Sequence, residues 1–382
     1  MRISTALAFY GGLLAALATA HAMPMPGSRS GLPWTSGAVV SPSSTVPDFD
    51  AWRGRPIDAR NVFLGISTWQ HMISSAPGIR WHLATGSRLI VAIGMLPRDH
   101  AGQLAQCASG QFDAQIRALT RSMLNSGALA AYSAGKPVII RLGWEANNTK
   151  GSFPWRATGN GASWRNCFKR WVSILNPLID HDANPATPKQ RQRRFLVTWN
   201  MANKGTFNYP IDNLWPGNDF VDIVGSEFYD RCPPLPAFSA GWSIQDPEWN
   251  ARINARASNG NPAGPGAWLA YARSKGKPYA IPEWGVGGPS YICPRPGVDN
   301  PYFIQRLYQF LWVNSASIAF ESVFNAHGAP TDTGGSHKLF AADPLYPSAD
   351  DPDFLTYATR YLPNSAATYR QLWGRGETPP LP

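Results

Sequence analysis

The sequence predicts an α/β fold, a single-domain (β/α)8 TIM barrel, and three observations predict it. Eight short runs rich in β-branched and apolar residues recur along the chain. These runs are continuous rather than alternating, as strands covered on both faces are in parallel sheets. Helical apolar stripes lie between them, and 382 residues without an internal repeat or a linker suit one large barrel.

The N-terminus stands apart. Met1-Arg2 is basic, Leu7 to Ala20 is an apolar run too short to span a bilayer, and Ala20-His21-Ala22 is an A-x-A cleavage site. Residues 1–22 therefore read as a secretory signal peptide, and the mature protein is expected to be secreted or periplasmic. Residues 23–33, rich in Pro, Gly and Ser, read as a flexible lead-in. Residues 34–382 are expected to form the (β/α)8 barrel.

Strands are expected at Gly37–Val40, Asn61–Ser67, Leu89–Met95, Val138–Gly143, Phe195–Trp199, Val221–Glu227, Tyr279–Pro282 and Ile318–Phe324. Phe112, Ile116, Leu119 and Met123 make one helical stripe, with Gly127 as its C-terminal cap. Trp164, Phe168, Trp171 and Leu175 make another. Ala267–Ser274 is a shorter helix closed by Gly276. Asn300 and Pro301 start a helix through Ile304, Leu307 and Leu311, as N-cap and first-turn residues.

The four cysteines suggest two disulfides in an exported chain. Cys107 follows the third strand and Cys167 begins the helix after the fourth, so these are paired. Cys232 and Cys293 follow the neighbouring sixth and seventh strands and make the second pair. The net charge of +10 includes a basic run at Arg191, Arg193 and Arg194. Such a run is usually a solvated surface; in an exported protein an acidic polysaccharide or an anionic surface is a candidate partner ahead of nucleic acid. No stable membrane insertion, metal or cofactor is expected, and the protein reads as a monomer. "GVGGPS" lacks the third glycine of a dinucleotide fingerprint, at Ser290. There is no H-E-x-x-H, P-loop or G-x-S-x-G motif.

In such a barrel the chemistry sits at the C-terminal ends of the strands. "PVIIRLGWEANN" ends the fourth strand on Glu145, and "KPYAIPEWGVGGP" ends the seventh on Glu283. A buried strand seldom ends on a carboxylate without a use for it. Strands four and seven face each other across the barrel mouth. Two facing carboxylates are what glycoside hydrolysis requires, one to protonate the departing oxygen and one to attack or to activate water. Arg141 on the same strand end would keep a neighbouring carboxylate ionised. Sixteen tryptophans fit a protein that stacks on sugar rings. Trp144, Trp155, Trp199 and Trp284 fall at or just after strand ends, with Asn200, Glu227 and His327 as further candidates for contacts to hydroxyls.

"RLGWEAN" (Arg141 to Asn147) and "PEWG" (Pro282 to Gly285) resemble the two active-site motifs of glycoside hydrolase family 26, retaining endo-β-glycanases that include β-mannanases and lichenase-type β-glucanases. The resemblance implies Glu145 as general acid/base and Glu283 as nucleophile. It matches Asn147 to the asparagine two places after the acid/base. "VDIVGSEFYD" (Val221 to Asp230) resembles the sixth-strand segment, which makes Tyr229 the tyrosine that hydrogen-bonds the nucleophile. Where the mannanases carry histidine just before the acid/base, this chain has Trp144. The expectation is a retaining hydrolase of a β-linked polysaccharide, such as β-glucan, mannan or a bacterial exopolysaccharide. The alternative is a non-catalytic carbohydrate-binding protein on the same scaffold.

Overall fold

A computed structural model describes residues 28–40, 46–149, 153–159, 161–179, 190–230, 247–286, 300–325 and 363–375. The expected signal peptide, Cys232, Cys293 and His327 lie outside the described residues.

Eight parallel strands close into a barrel with helices between them: β1 (Thr35–Val40), β2 (Ala59–Phe63), β3 (Arg88–Ile93), β4 (Val138–Leu142), β5 (Phe195–Met201), β6 (Ile223–Ser226), β7 (Tyr279–Val286) and β8 (Ile318–Asn325). Each strand pairs with the next, and β1 pairs with β8 from Thr35↔Phe320 to Val40↔Asn325, which closes the ring. Phe228–Asp230 extends β6 and pairs with the end of β7, Trp284↔Phe228 to Val286↔Asp230. All eight expected strands are present, and most are buried on both faces and so legible as continuous apolar runs; the second, Ala59–Phe63, is only partly buried.

Two cores result. The floor of the barrel is a small plug of Ala59, Ile90, Ile139, Ile223, Ala280 and Phe320. The larger core lies between barrel and helices. Two of its helices, α1 (Asp113–Met123) and α2 (Ala162–Leu175), bury the stripes read from the sequence: Ile116, Leu119 and Met123 on one, Trp164, Phe168, Trp171 and Leu175 on the other. Gly127 has φ of 111° and ends the first of these. A disulfide between Cys107 and Cys167, with Cα atoms 5.1 Å apart, ties the loop region after β3 to α2, a link of about 2–4 kcal/mol. In α3 (Pro301–Val313), the Asn300 side chain accepts from the Phe303 N–H, as an N-cap should.

The lead-in departs from expectation where it is described. Ser30 is buried, and its N–H and hydroxyl both donate to the Asp58 carboxylate, at 2.8 and 2.6 Å. The Ser36 N–H donates to the same group at 2.8 Å. Ser30 and Ser36 thus tie this stretch to the start of β2. At the other end, the turn Arg370–Gly374 after helix α4 (Pro363–Tyr369) packs onto the chain just after residue 52. A Cβ on Gly374 would stand 1.8 Å from the Arg53 carbonyl oxygen, so only glycine allows this approach. Arg55 donates to the Arg375 carbonyl at 2.8 Å.

Candidate active site

The C-terminal ends of the strands converge on Arg141 of β4, which is fully buried in the barrel. Its Nη2 donates to Glu283 Oε1 at 2.6 Å and to Glu227 Oε1 at 3.3 Å. Its Nε donates to Asn200 Oδ1 at 2.8 Å. Tyr229 closes the other side, its hydroxyl donating to Glu283 Oε2 at 2.8 Å. Both oxygens of Glu283 are therefore oriented by a donor, one charged and one neutral. Charge-assisted contacts of this kind hold a carboxylate in one rotamer.

Glu283 owes its place to an irregularity in β7. Ile281 pairs with Glu321 and Trp284 with Val323, so β7 advances one residue more than β8 over the same stretch. A bulge of this kind re-aims a side chain. Pro282, which has no N–H to lose, sits inside it. Pro282 faces the lumen, where a Cβ on Gly225 of β6 would meet its Cγ at 2.9 Å. Glu283 also faces the lumen, and Trp284 turns outward.

Glu145 follows β4 with φ of 54°, the one non-glycine residue among those described with positive φ. That conformation costs on the order of 1–3 kcal/mol and tends to mark functional positions. It is held by the Glu145 N–H donating to the Asn200 carbonyl at 3.0 Å and by its carbonyl accepting from Asn148 N–H at 2.9 Å. Its neighbours Trp144 and Ala146 are buried, while Glu145 itself is half-buried.

Glu227 is the third carboxyl. It is buried, and Oε1 accepts from both Arg141 and, at 2.7 Å, Asn200 Nδ2. Among the described residues Oε2 has no hydrogen-bond partner. Burial, and then the charges of Glu145 and Glu283, push its pKa well above the usual carboxylate range, while Arg141 pulls it down. Arg141 is shared between Glu227 and Glu283, so Glu227 holds its proton more tightly than a free carboxyl does.

The other expected residues divide. Asn200 belongs to the cluster. Asn147 is buried and spends its amide on the loop after β5, accepting from Ala202 N–H at 2.6 Å and donating to the Ala202 carbonyl at 2.9 Å. Its part is to hold the loops after β4 and β5 together. Trp155, Trp199 and Trp284 are fully buried and present no open face, contrary to the expectation that they are sugar platforms. Their N–H groups go to the Trp144 carbonyl, the Leu214 carbonyl and Glu321 respectively. Trp144 is 6% exposed and lies edge-on to Phe63.

Phe63, at the end of β2, was not singled out from the sequence. It is 40% exposed, and its ring lies 5.6 Å from the Arg141 guanidinium carbon. It also meets Phe324 of β8, which in turn meets Tyr229. The signal was an aromatic on the last position of a strand, which tryptophan counting passes over. Asn61 was also missed. Its Nδ2 donates to the Pro282 carbonyl at 2.9 Å, bracing the bulge from the lumen. Among the described residues no cluster of His, Cys, Asp and Glu forms a metal site, and no helix is long and apolar enough to cross a membrane.

These features define a (β/α)8 barrel with a carboxylate-rich mouth. No protein-family model matches the sequence, and no curated protein matches it. Solved structures do. GH26C from a Muricauda species aligns with a TM-score of 0.51 at 15% identity, over 86% of this chain and 86% of that one. An endo-beta-1,4-mannanase double mutant from Cellulomonas fimi aligns at 0.48 and 19% identity, over 85% of this chain and 68% of that one. A second structure of a Cellulomonas fimi mannanase is covered over 65% of its length, so this chain spans about two thirds of those proteins. The catalytic domain of a Bacillus GH26 endo-beta-1,4-mannanase aligns at 0.48 and 14% identity, over 89% and 90% of the two chains. The chain has a fold like that of glycoside hydrolase family 26.

Proposed function

We propose that this protein is an exported, retaining β-glycoside hydrolase acting on a β-linked polysaccharide by double displacement. The observation that carries the reading is Glu283, fixed by Arg141 and Tyr229 at the end of β7, with Glu145 held in a strained conformation at the end of β4. A carboxylate whose two oxygens are oriented from opposite sides is pre-aimed at one attack position.

In the first step a Glu283 oxygen attacks the anomeric carbon. The glycosidic C–O bond breaks, and Glu145 gives its proton to the departing oxygen. The product is a glycosyl ester of Glu283 and a shortened chain. In the second step Glu145, now ionised, takes a proton from water as that water attacks the anomeric carbon. The ester bond breaks, Glu283 is released as carboxylate, and the β configuration is restored. No redox partner or metal enters this balance. Arg141 and Tyr229 stabilise the charge that returns to Glu283 in the second step. The exposed face of Phe63 offers an apolar surface to the ring's C–H groups. The Cys107–Cys167 disulfide fits an oxidising compartment, in keeping with the signal-like N-terminus.

Retention requires the carboxyl groups of Glu145 and Glu283 to stand about 5–5.5 Å apart in a substrate complex. The functional test is a reducing-sugar assay on mixed-linkage β-glucan, galactomannan and xylan, with two variants. Glu283→Ala should abolish turnover of every substrate. Glu145→Ala should lose polysaccharide cleavage by about 10²–10⁴-fold yet keep the first step on an activated aryl glycoside. Azide should rescue Glu145→Ala and give a β-glycosyl azide, whereas with Glu283→Ala it should give the α product. Parent-like cleavage by either variant would sink the assignment, and sugar binding without turnover in the parent would favour the non-catalytic alternative.

A further inference from the structure

A fourth buried glutamate lies outside the barrel mouth. Glu321 is on β8 and is fully buried, but it faces the helical layer, one residue before the lumen-facing Ser322. Its Oε2 accepts from the Trp284 Nε1–H. Its Oε1 accepts from the Ser36 hydroxyl, from Trp373 Nε1–H at 2.8 Å and from Trp34 Nε1–H at 3.4 Å. Four donors from three parts of the chain thus surround one carboxylate. Arg53 stands behind them, its Nη2 donating to the Ser36 hydroxyl oxygen at 2.8 Å. Such a carboxylate is a fixed point, because moving it would orphan several buried donors at once.

One of those donors is the residue next to Glu283. The bulge at Pro282–Glu283 is gripped on both faces. Inside, Asn61 holds the Pro282 carbonyl. Outside, Glu321 holds the Trp284 indole, which is fully buried against Tyr369 and Trp373. We infer that Glu321, acting through Trp284, is a positioning residue that sets the aim of Glu283. Without the outer grip, β7 can return to regular register with β8. A regular strand would alternate, and Glu283 could not face the lumen directly after the lumen-facing Pro282. The inference rests on Glu283 being the nucleophile, and it adds a determinant that touches neither substrate nor the reacting atoms.

The test compares two substitutions of equal chemistry. Trp284→Phe and Trp373→Phe each remove one indole N–H from Glu321 and keep an aromatic ring. Only the first lies beside the bulge. On whichever of mixed-linkage β-glucan, galactomannan and xylan the parent cleaves fastest, Trp284→Phe should lower kcat about 10–100-fold, as a displacement near 1 Å can do. Its KM should stay within about twofold, because aim rather than binding is lost. Trp373→Phe should lower the melting temperature comparably and leave kcat within about twofold. A merely structural node would make the two variants behave alike. Parent-like kcat in Trp284→Phe, or an equal fall in Trp373→Phe, overturns the inference while the hydrolase reading stands. If the parent cleaves none of the three, those substrates are excluded and kcat gives no readout. A crystal structure of Trp284→Phe then decides the inference: the 2.6 Å contact to Arg141 and the 2.8 Å contact to Tyr229 should lengthen with a displacement of Glu283 near 1 Å, and their survival unchanged would overturn it. Should that variant not fold, Glu321→Asp draws the carboxylate back from Trp284 with its charge intact and is read in the same two ways.

Discussion

Glu227 and Glu321 are both buried glutamates at barrel strands, and burial raises the pKa of each. Their surroundings are opposite. Glu227 shares one guanidinium with Glu283 and keeps an oxygen without a partner. Glu321 is saturated by neutral donors, three indoles and a hydroxyl, with Arg53 adding attraction at longer range. The contrast separates two uses of an expensive group. Where the acceptor sites are filled, the carboxylate is a structural rivet. Where one is left open among other carboxylates, the group holds a proton more tightly than a free carboxyl does.

The largest expected effect on stability is at the shared cation. Arg141→Met leaves Glu283, Glu227 and Asn200 without their common donor, and should destabilise the protein by about 3–5 kcal/mol. Urea denaturation measures it; a loss below about 1 kcal/mol would mean that water replaces the guanidinium easily.

The same substitution at the two glutamates sharpens the contrast. Glu321→Gln must turn an amide N–H₂ toward indole N–H groups, and should cost about 1–3 kcal/mol for a donor left unpaired. Glu227→Gln mimics the protonated acid and should be nearly neutral at pH 7. Equal losses would dissolve the distinction.

The smallest effect is a slope. The folded protein binds the Glu227 proton more tightly than the unfolded chain does. Stability from this group is therefore complete below the ordinary value of 4.5 and is lost as pH rises through the higher folded value. The slope between those limits approaches about 1.4 kcal/mol per pH unit for one group. Glu227→Gln should flatten that part of the stability curve above pH 4.5, and an unchanged slope would show that Glu227 is ionised in the folded state.

The sequence carried the barrel well, because parallel strands buried on both faces are written as continuous apolar runs. It carried Glu145, Glu283, Arg141 and Tyr229, which stand in short motifs at strand ends. It did not carry the direction of the tryptophans. Side chains alternate along a strand, but the bulge in β7 breaks that count at Pro282 and Glu283, so Trp284 lands outside the lumen. Trp155 and Trp199 are taken into the helical layer by backbone acceptors that no local pattern announces. Glu321 was invisible for the same reason. Its partners Trp34, Ser36, Trp284 and Trp373 are distant in the chain, and "AFESVF" reads as an ordinary strand with one polar residue.

The close seat of Gly374 on the Arg53 carbonyl also bears on the order of assembly. Ser36 and Glu321 are 285 residues apart, and Trp373 reaches the same carboxylate from 52 residues further on. The first strand thus has no partner for its outer edge until the eighth has been made, and the junction is not sealed until the turn at Gly374 arrives. Contacts of such span must meet their loop-closure cost before they contribute, which slows folding. A nascent chain stopped short of Trp373 would carry every described residue of the barrel mouth and still lack one of the four donors to Glu321.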